Sequence, residues 1–195
     1  MYESYRAAGS PHKRMSQFYN VIKPCLINPE DLSLPIDNVI PPPELHLHIG
    51  LANWAWELVK QLLGDGRYEE LVQWCSHRSI TIHGYHGSGL DGGNSKNFFK
   101  ASKDLHLLLG QHTAAPITDM LEKFDMVTKA CFSRDLLPGW KETLDVFITS
   151  VWELIAYCKF KLGITLCITW KVHIMVAHLK CFLEEKNWGG FGRLK

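Results

Sequence analysis

The sequence predicts an all-α protein, a bundle or array of five to six helices with an extended Pro-rich N-terminal arm and one Gly-rich loop. Three observations lead to this class. Apolar residues recur three or four positions apart through several long stretches, which is the period of an amphipathic helix. Proline and glycine fall mostly between those stretches, where they favour turns. The connections are short, so neighbouring helices are expected to pack on one another.

The first part of the chain is expected to precede the helices. Residues 1–20 are polar and are predicted to be a flexible N-terminus. Residues 21–43 carry six prolines among alternating apolar side chains, which predicts an extended arm. Residues 44–188 are expected to form a single helical domain, and 189–195 an open-ended tail.

The first helix is predicted to follow Pro41–Pro43 and to run from Glu44, whose charge suits a helix N-terminus, to about Leu63. A short helix near Arg67–Trp74 comes next. The apolar face of the first helix is predicted to contain Leu45, His48, Leu51, Ala52, Ala55, Leu58, Val59 and Leu62, and the polar face His46, Gly50, Asn53, Glu57, Lys60 and Gln61.

The pair His46 and His48 has the spacing of a metal-binding motif in a strand. In a helix the two imidazoles point about 200° apart, so they cannot share one ion. We therefore predict that His48 is a core histidine with one hydrogen-bond partner and that His46 faces solvent.

The glycine-rich stretch at 84–93 predicts a loop, preceded by a brief strand at Ile80–His83. Asn94 or Ser95 is expected to cap the following helix, which runs to about Leu109. The loop lacks the Lys-Ser/Thr pair of a phosphate-binding P-loop, so no nucleotide partner is expected.

Three further segments have helical periodicity. Pro116 is expected in the first turn of one of them, and Pro138–Gly139 separates it from a long helix that ends at Gly163. After a β-branched connector, a last helix is predicted from about Thr169 to Lys186.

Composition excludes several classes. The net charge is +1, so no strong field selects nucleic acid or a membrane as partner. The most apolar stretch carries Glu153, Lys159 and Lys161, which argues against a membrane partner. Six widely spaced cysteines without a C-x-x-C pair favour reduced thiols and an intracellular location, nucleus or cytoplasm. Cys131, Cys158 and Cys167 fall on apolar faces and are predicted to be buried. No cofactor is indicated.

Two groups of residues are candidates for a site. Lys96, Lys100 and Lys103 form one basic edge of a helix and are predicted to touch a nucleic-acid backbone, or else to be a solvated face. A zinc site is the second candidate, because His178 and Cys181 lie one helical turn apart, whereas His173 is expected about 140° away from His178. The remaining zinc ligands would be His83 and His86. The scattered carboxylates form no recognisable catalytic pair or triad.

Several segments together resemble uncharacterised invertebrate proteins derived from cut-and-paste, RNase H-like DNA transposases. The segments that carry this resemblance are YNVIKPCLI (19–27), VIPPPELHLHIGLANWAWELV (39–59), HGYHGSGLDGGNSKNFFK (83–100), CFSRDLLPGW (131–140), TWKVHIMVAHLKCFLEE (169–185) and GGFGRLK (189–195).

The resemblance implies that this chain is an internal fragment. Any metal-binding carboxylates of a transposase core would then lie outside residues 1–195. Two positions depart from the pattern, because Trp170 replaces an expected proline and Gly93 is an extra or altered glycine. The matching positions are expected to be structural: Pro42, Glu44, Leu45, His46, Gly50, Tyr85, Gly87, Asn94, Lys171, His173 and His178.

Three hypotheses follow for function. The first is a transposable-element-derived helical fragment without its own catalytic site, which is either inert or keeps weak binding to DNA or to protein. The second is a zinc-dependent enzyme that uses the loop and C-terminal histidines and cysteine. The third is a protein-interaction module, with itself or another protein as partner, in which Trp54, Trp56 or Trp188 is exposed.

Overall fold

The computed structural model describes residues 44–82, 89–132 and 135–185. All of these belong to one compact unit, Pro42–Lys195. Helices make up 80% of this part of the chain and it contains no strand, which confirms the all-α prediction and removes the strand expected at residues 80–82. The predictions for residues 1–20, 21–43 and 189–195 concern positions outside the described residues.

The α-helices are α1 Glu44–Leu63, α2 Tyr68–Ser76, α3 Gly92–Ala101, α4 His106–Leu109, α5 Gln111–Cys131, α6 Trp140–Lys161, α7 Trp170–His173 and α8 Leu179–Glu185. Short 3₁₀ turns at Asp65–Arg67 and Ser102–Asp104 precede α2 and α4, and a π-turn at Ile174–His178 joins α7 to α8. None of the helices in the described ranges is both long enough and apolar enough to cross a membrane.

Helix α1 lies at the centre of the array, in contact with α2, α3, α4 and α7. The predicted division into two faces holds for the buried Leu51, Ala52, Ala55, Leu58 and Val59 and for the exposed His46, Glu57 and Gln61, but it fails at other positions. Trp54 and Trp56 are buried, and so is Gly50 on the predicted polar face, whereas Leu45 on the predicted apolar face is 59% exposed. Periodicity assigns a helix one inner face, but α1 has neighbours on several sides. The interaction hypothesis that depends on exposed Trp54 or Trp56 is excluded, and Trp188 lies outside the described residues.

Gly50 of α1 lies directly against Lys171 of α7. A methyl group built at Gly50 would lie 2.8 Å from the Cβ atom of Lys171, closer than carbon atoms pack. Only glycine therefore fits at this crossing without displacing α7. The two residues are both among the positions that the resemblance marks as structural.

Helix α3 is capped by Asp91, not by Asn94 or Ser95 as predicted. The Asp91 carboxylate accepts a hydrogen bond from the Asn94 N–H at 2.8 Å, and both Asn94 and Ser95 are buried inside the helix. Asn94 instead bridges two segments, because its side-chain oxygen accepts from the Thr81 N–H at 2.7 Å. The cap motif therefore joins the start of α3 to the segment that follows α2.

Asn53 of α1 anchors the residue before this cap. Its side-chain amide donates to the Leu90 carbonyl at 2.9 Å and its oxygen accepts from the Leu90 N–H at 2.6 Å. One side chain thus satisfies both backbone groups of Leu90, which is itself buried. These bonds fix the start of α3 against the central helix.

Helices α5 and α6 form the most extensive helix pair. The connection between them is short, so they run antiparallel. Helix α5 starts at Gln111, so the prediction that Pro116 lies in its first turn is wrong and proline occupies the helix interior. Pro116 has no N–H for the His112 carbonyl. The Tyr157 hydroxyl donates to that carbonyl at 3.2 Å, which replaces the missing helical bond.

The last helical segment is not the continuous α-helix that the sequence predicts. Thr169 caps α7 by accepting from the Val172 N–H at 3.4 Å, and the π-turn then inserts one residue into the helical repeat. Of the residues whose spacing predicts an inner face, Val172, Met175, Leu179, Phe182 and Leu183 are nevertheless buried, and Val176 is half-buried.

Candidate nucleic-acid interface

The residues of the predicted basic edge line one groove, formed between α1, α3 and α5, with a volume of about 890 Å³. Lys96 and Lys100 come from α3, and Lys103 comes from the 3₁₀ turn that continues it. All three side chains are exposed and all three border this groove. We call it the basic groove, and the structure thus brings together the three lysines that the sequence singled out.

Acidic residues also border the basic groove: Glu44, Glu122 and Asp125. Asp125 pairs with Lys129 outside the groove, with 2.5 Å between Nζ and the carboxylate. Glu122 lies 3.9 Å from Lys103, which is a loose pair between exposed groups.

Lys96 and Lys100 are the least compensated charges of the basic groove. Among the residues that the structure describes, neither lysine takes part in an ion pair, whereas Lys103 forms the loose pair with Glu122. Positive charge on the α3 side is therefore available to an anion. The acidic residues Glu122 and Asp125 lie across the groove on α5. The groove therefore favours a ligand whose negatively charged groups all lie along α3.

Aromatic rings form part of the groove wall. The ring of His48 packs on Phe99 with 4.3 Å between centroids, and Phe99 stacks on Phe124 at 5.5 Å. His48 and Phe99 are half-buried, so the ring surface is shared between the core and the groove. His48 is therefore not the enclosed core histidine that the sequence predicts, while His46 is exposed as expected. The sequence analysis did not identify Phe99, which precedes Lys100 on α3, as a residue of this groove.

The environment of His48 favours its neutral form. Burial lowers the pKa of His48 below its usual value, Asp125 acts in the opposite direction, and Lys96 adds to the lowering. A neutral imidazole adds no positive charge to the groove near neutral pH.

We expect the stability of the protein to fall with acidity because of His48. A lowered pKa in the folded state means that the unfolded chain binds the proton more tightly. The contribution of His48 to the free energy of unfolding is complete above the pKa of about 6.5 in the unfolded chain. It is lost as the pH falls below that value towards the lower pKa of the folded state. The melting temperature of a His48→Gln variant should therefore decrease less between pH 8 and pH 5 than that of the wild type. A His46→Gln control changes an exposed histidine on the same helix and should follow the wild type; equal pH profiles for all three proteins would contradict this assignment.

His173 and His178 meet because of the π-turn. Their Nε2 atoms are 3.1 Å apart, so one ring donates to the other, and the predicted 140° separation is wrong. The extra residue in the π-turn rotates His178 about the helix axis until it faces His173. A regular period of 3.6 residues cannot predict this rotation. No group of three or more potential metal ligands occurs among the described residues, and the two other proposed zinc ligands, His83 and His86, lie outside them.

The cysteines fall into two classes. Cys75, Cys131 and Cys158 are buried, and burial raises the pKa of Cys75 and Cys131 to about 12 and also raises that of Cys158. Protonated, enclosed thiols are poor nucleophiles. Cys167 and Cys181 are exposed, so the prediction that Cys167 is buried is wrong. The Trp54 indole donates to the Cys167 carbonyl at 3.0 Å, which fixes the backbone there but leaves the thiol outside.

This division predicts a two-step thiol titration. In a Cys25→Ser variant of the full chain, which removes the one cysteine outside the described residues, two thiols should react within minutes with an aromatic disulfide reagent. The other three should react only after denaturation, because their thiolate forms are suppressed by burial. Fast reaction of four or five thiols in the folded protein would contradict the burial pattern.

Comparison with protein families, with curated proteins and with solved structures finds no match for this chain.

Proposed function

We propose that this chain is a non-catalytic helical segment, derived from a transposase-like protein, that binds single-stranded nucleic acid in the basic groove. The observation that carries the proposal is the convergence of Lys96, Lys100 and Lys103 on one side of the groove beside the half-buried rings of His48 and Phe99. Basic side chains along a backbone together with aromatic surfaces for bases are the combination used by single-strand-binding proteins.

The geometry favours a single strand over a duplex. The lysines follow one side of the groove, and carboxylates occupy the other. A duplex presents phosphates on two strands and would bring one row of them towards Glu122 and Asp125. A single strand can place its phosphates along α3 and direct its bases towards the groove wall.

The proposed origin is supported by the segments that carry the resemblance. Trp170, which replaces the expected proline, is the first residue of α7. Proline is readily accommodated at that position because the first helical N–H groups need no partner within the helix. The substitution therefore changes a surface side chain and leaves the helix start intact, since Trp170 is 61% exposed.

Binding should be modest and dependent on salt. Three lysine contacts to a single strand correspond to a slope of about −2 when the logarithm of the association constant is plotted against that of the salt concentration. The overall charge of +1 adds little attraction at long range.

The test is fluorescence anisotropy with a labelled single-stranded oligonucleotide of mixed sequence. Lys96→Gln/Lys100→Gln should weaken binding about 25-fold near 0.1 M salt and reduce the slope by about 1.4, because two phosphate contacts are lost. The control is Lys141→Gln/Lys161→Gln, which removes the same charge from exposed positions on α6 and should retain wild-type affinity. Equal losses in both double variants would contradict the assignment to the basic groove.

A further inference from the structure

His173 and His178 bring two ring nitrogens together at the protein surface. Their Nε2 atoms are 3.1 Å apart, and the planes of the two rings meet at 69°. His173 is exposed and His178 is half-buried, so ions in solution can reach the pair. Neither histidine borders the basic groove or belongs to the buried core. The pair is therefore a separate candidate for a binding site.

The distance between the two nitrogens suits a metal ion that binds both. Imidazole nitrogens lie about 2.0–2.1 Å from an ion such as Zn²⁺. Two such bonds to nitrogens 3.1 Å apart enclose an angle of about 100° at the ion. This angle lies between the roughly 90° of a square-planar site and the roughly 109° of a tetrahedral one. The two rings can therefore become adjacent ligands of one ion with little movement.

The orientation of the rings is compatible with a shared ion. The ring centroids are 4.9 Å apart, which is closer than two rings pointing at each other end to end would be at this separation of their nitrogens. The rings are therefore inclined to each other. An inclined pair can direct both nitrogens towards an ion that lies beside the line joining them.

The π-turn creates this spacing. In a regular α-helix, residues five positions apart lie about 140° from each other around the axis, too far apart to share an ion. The π-turn at Ile174–His178 brings the two rings to the same side. Such turns within helices are often found at functional sites. An ion bound by both rings would hold the π-turn and, with it, the junction between α7 and α8.

The proton between the two nitrogens has to move when a metal ion binds. In the metal-free pair, one Nε2 atom donates its proton to the other. A metal ion takes the place of that proton, which passes through solvent to Nδ1 of the same ring. Each imidazole then stays neutral, with its proton on Nδ1 and the lone pair of Nε2 on the metal.

We propose that His173 and His178 form a two-histidine surface site for a divalent transition-metal ion, with Cu²⁺ bound more tightly than Zn²⁺. Imidazole is a good ligand for both ions, and Cu²⁺ forms the more stable complexes with a given set of ligands. No third ligand from the residues that the structure describes joins the pair, so water completes the coordination shell. The site differs from the zinc site expected from the sequence, because His173 takes the place of Cys181 and of the loop histidines.

The experiment is isothermal titration calorimetry of the full chain with Cu²⁺ in a buffer that does not bind copper. His173→Ala should weaken one stoichiometric site about 100-fold, because a second linked ligand strengthens binding by that order. His178→Ala should have the same effect. The double variant His173→Ala/His178→Ala should lose little more, since two residues that act as one chelating unit are not additive. Zn²⁺ should bind the same site more weakly and compete with Cu²⁺ for it.

A matched double variant and a spectroscopic measurement complete the test. His46→Ala/His106→Ala removes two exposed histidines from other helices and should keep the wild-type copper affinity. Electron paramagnetic resonance of bound Cu²⁺ should show two nitrogen ligands in the wild type and no such pair in His173→Ala. Circular dichroism without metal should show wild-type helix content in every variant, because all four side chains lie outside the buried core. Unchanged copper affinity in the single variants, or an equal loss in His46→Ala/His106→Ala, would overturn the proposal.

Discussion

Replacing Phe124 with alanine is expected to lower the free energy of unfolding by about 3–5 kcal/mol. Phe124 is fully buried on α5, and its ring contacts four other rings: His48, Phe99, Phe132 and Phe147. These contacts join α1, α3 and α6 to α5, so the cavity would open where the main helices meet. Chemical denaturation followed by circular dichroism measures the loss.

Two further variants identify the cause of that loss. Phe124→Leu keeps most of the apolar volume and should cost clearly less than Phe124→Ala. Met126→Ala removes an exposed side chain from the same helix, 55% accessible in the wild type, and should change stability by about 0.5 kcal/mol or less. A Phe124→Ala variant as stable as Met126→Ala would show that the ring cluster is not the centre of the core.

Replacing Gly50 with alanine is expected to destabilise the protein, although this exchange inside a helix ordinarily stabilises it by up to about 1 kcal/mol. The added methyl group would lie 2.8 Å from Lys171 Cβ, and α7 must move to accommodate it. We expect a net loss of about 1–3 kcal/mol, the usual cost of overpacking, in a denaturant titration.

A matched glycine on another helix provides the control. A methyl group at Gly93 of α3 would lie 3.6 Å from the Asp91 carboxylate, an ordinary contact, so Gly93→Ala should be neutral or slightly stabilising. Lys171→Ala keeps Cβ but removes Cγ and Cδ, which also lie against the added methyl group, so it should recover part of the loss in the double variant Gly50→Ala/Lys171→Ala. If Gly50→Ala stabilised the protein as much as Gly93→Ala, the close approach of α1 and α7 would be refuted.

The long helices could be predicted because their signals are local. Glu44 and Leu63 bound α1 as expected, and α6 ends before Gly163, whose φ is 69°, a value that favours glycine. Inner stripes such as Ile117, Met120 and Phe124 follow directly from the 3.6-residue period.

The features that could not be predicted depend on neighbours distant in the sequence. The burial of Trp54 and Trp56 requires knowing that α1 is surrounded by other helices. Pro116 is tolerated inside α5 because Tyr157, from another helix, binds the carbonyl that proline leaves without a donor. The π-turn that pairs His173 with His178 likewise breaks the regular period on which the prediction depended.

The candidate site was predicted in part. Lys96, Lys100 and Lys103 share an edge because they are three or four residues apart, which the helical period gives directly. Their position beside His48 depends on the packing of α3 against α1, and the loose pairing of Lys103 depends on where α5 places Glu122. Neither of these follows from spacing along one helix.

The most direct measurement of the central claim is a titration of the isotopically labelled 22.3 kDa chain with a single-stranded oligonucleotide, followed by amide chemical shifts. If the basic groove is the binding surface, the largest shift changes will cluster at residues 92–103 and at the groove side of α5, and will decrease as salt is added. Changes centred on the outer face of α6, or no saturable change at low salt, would contradict it.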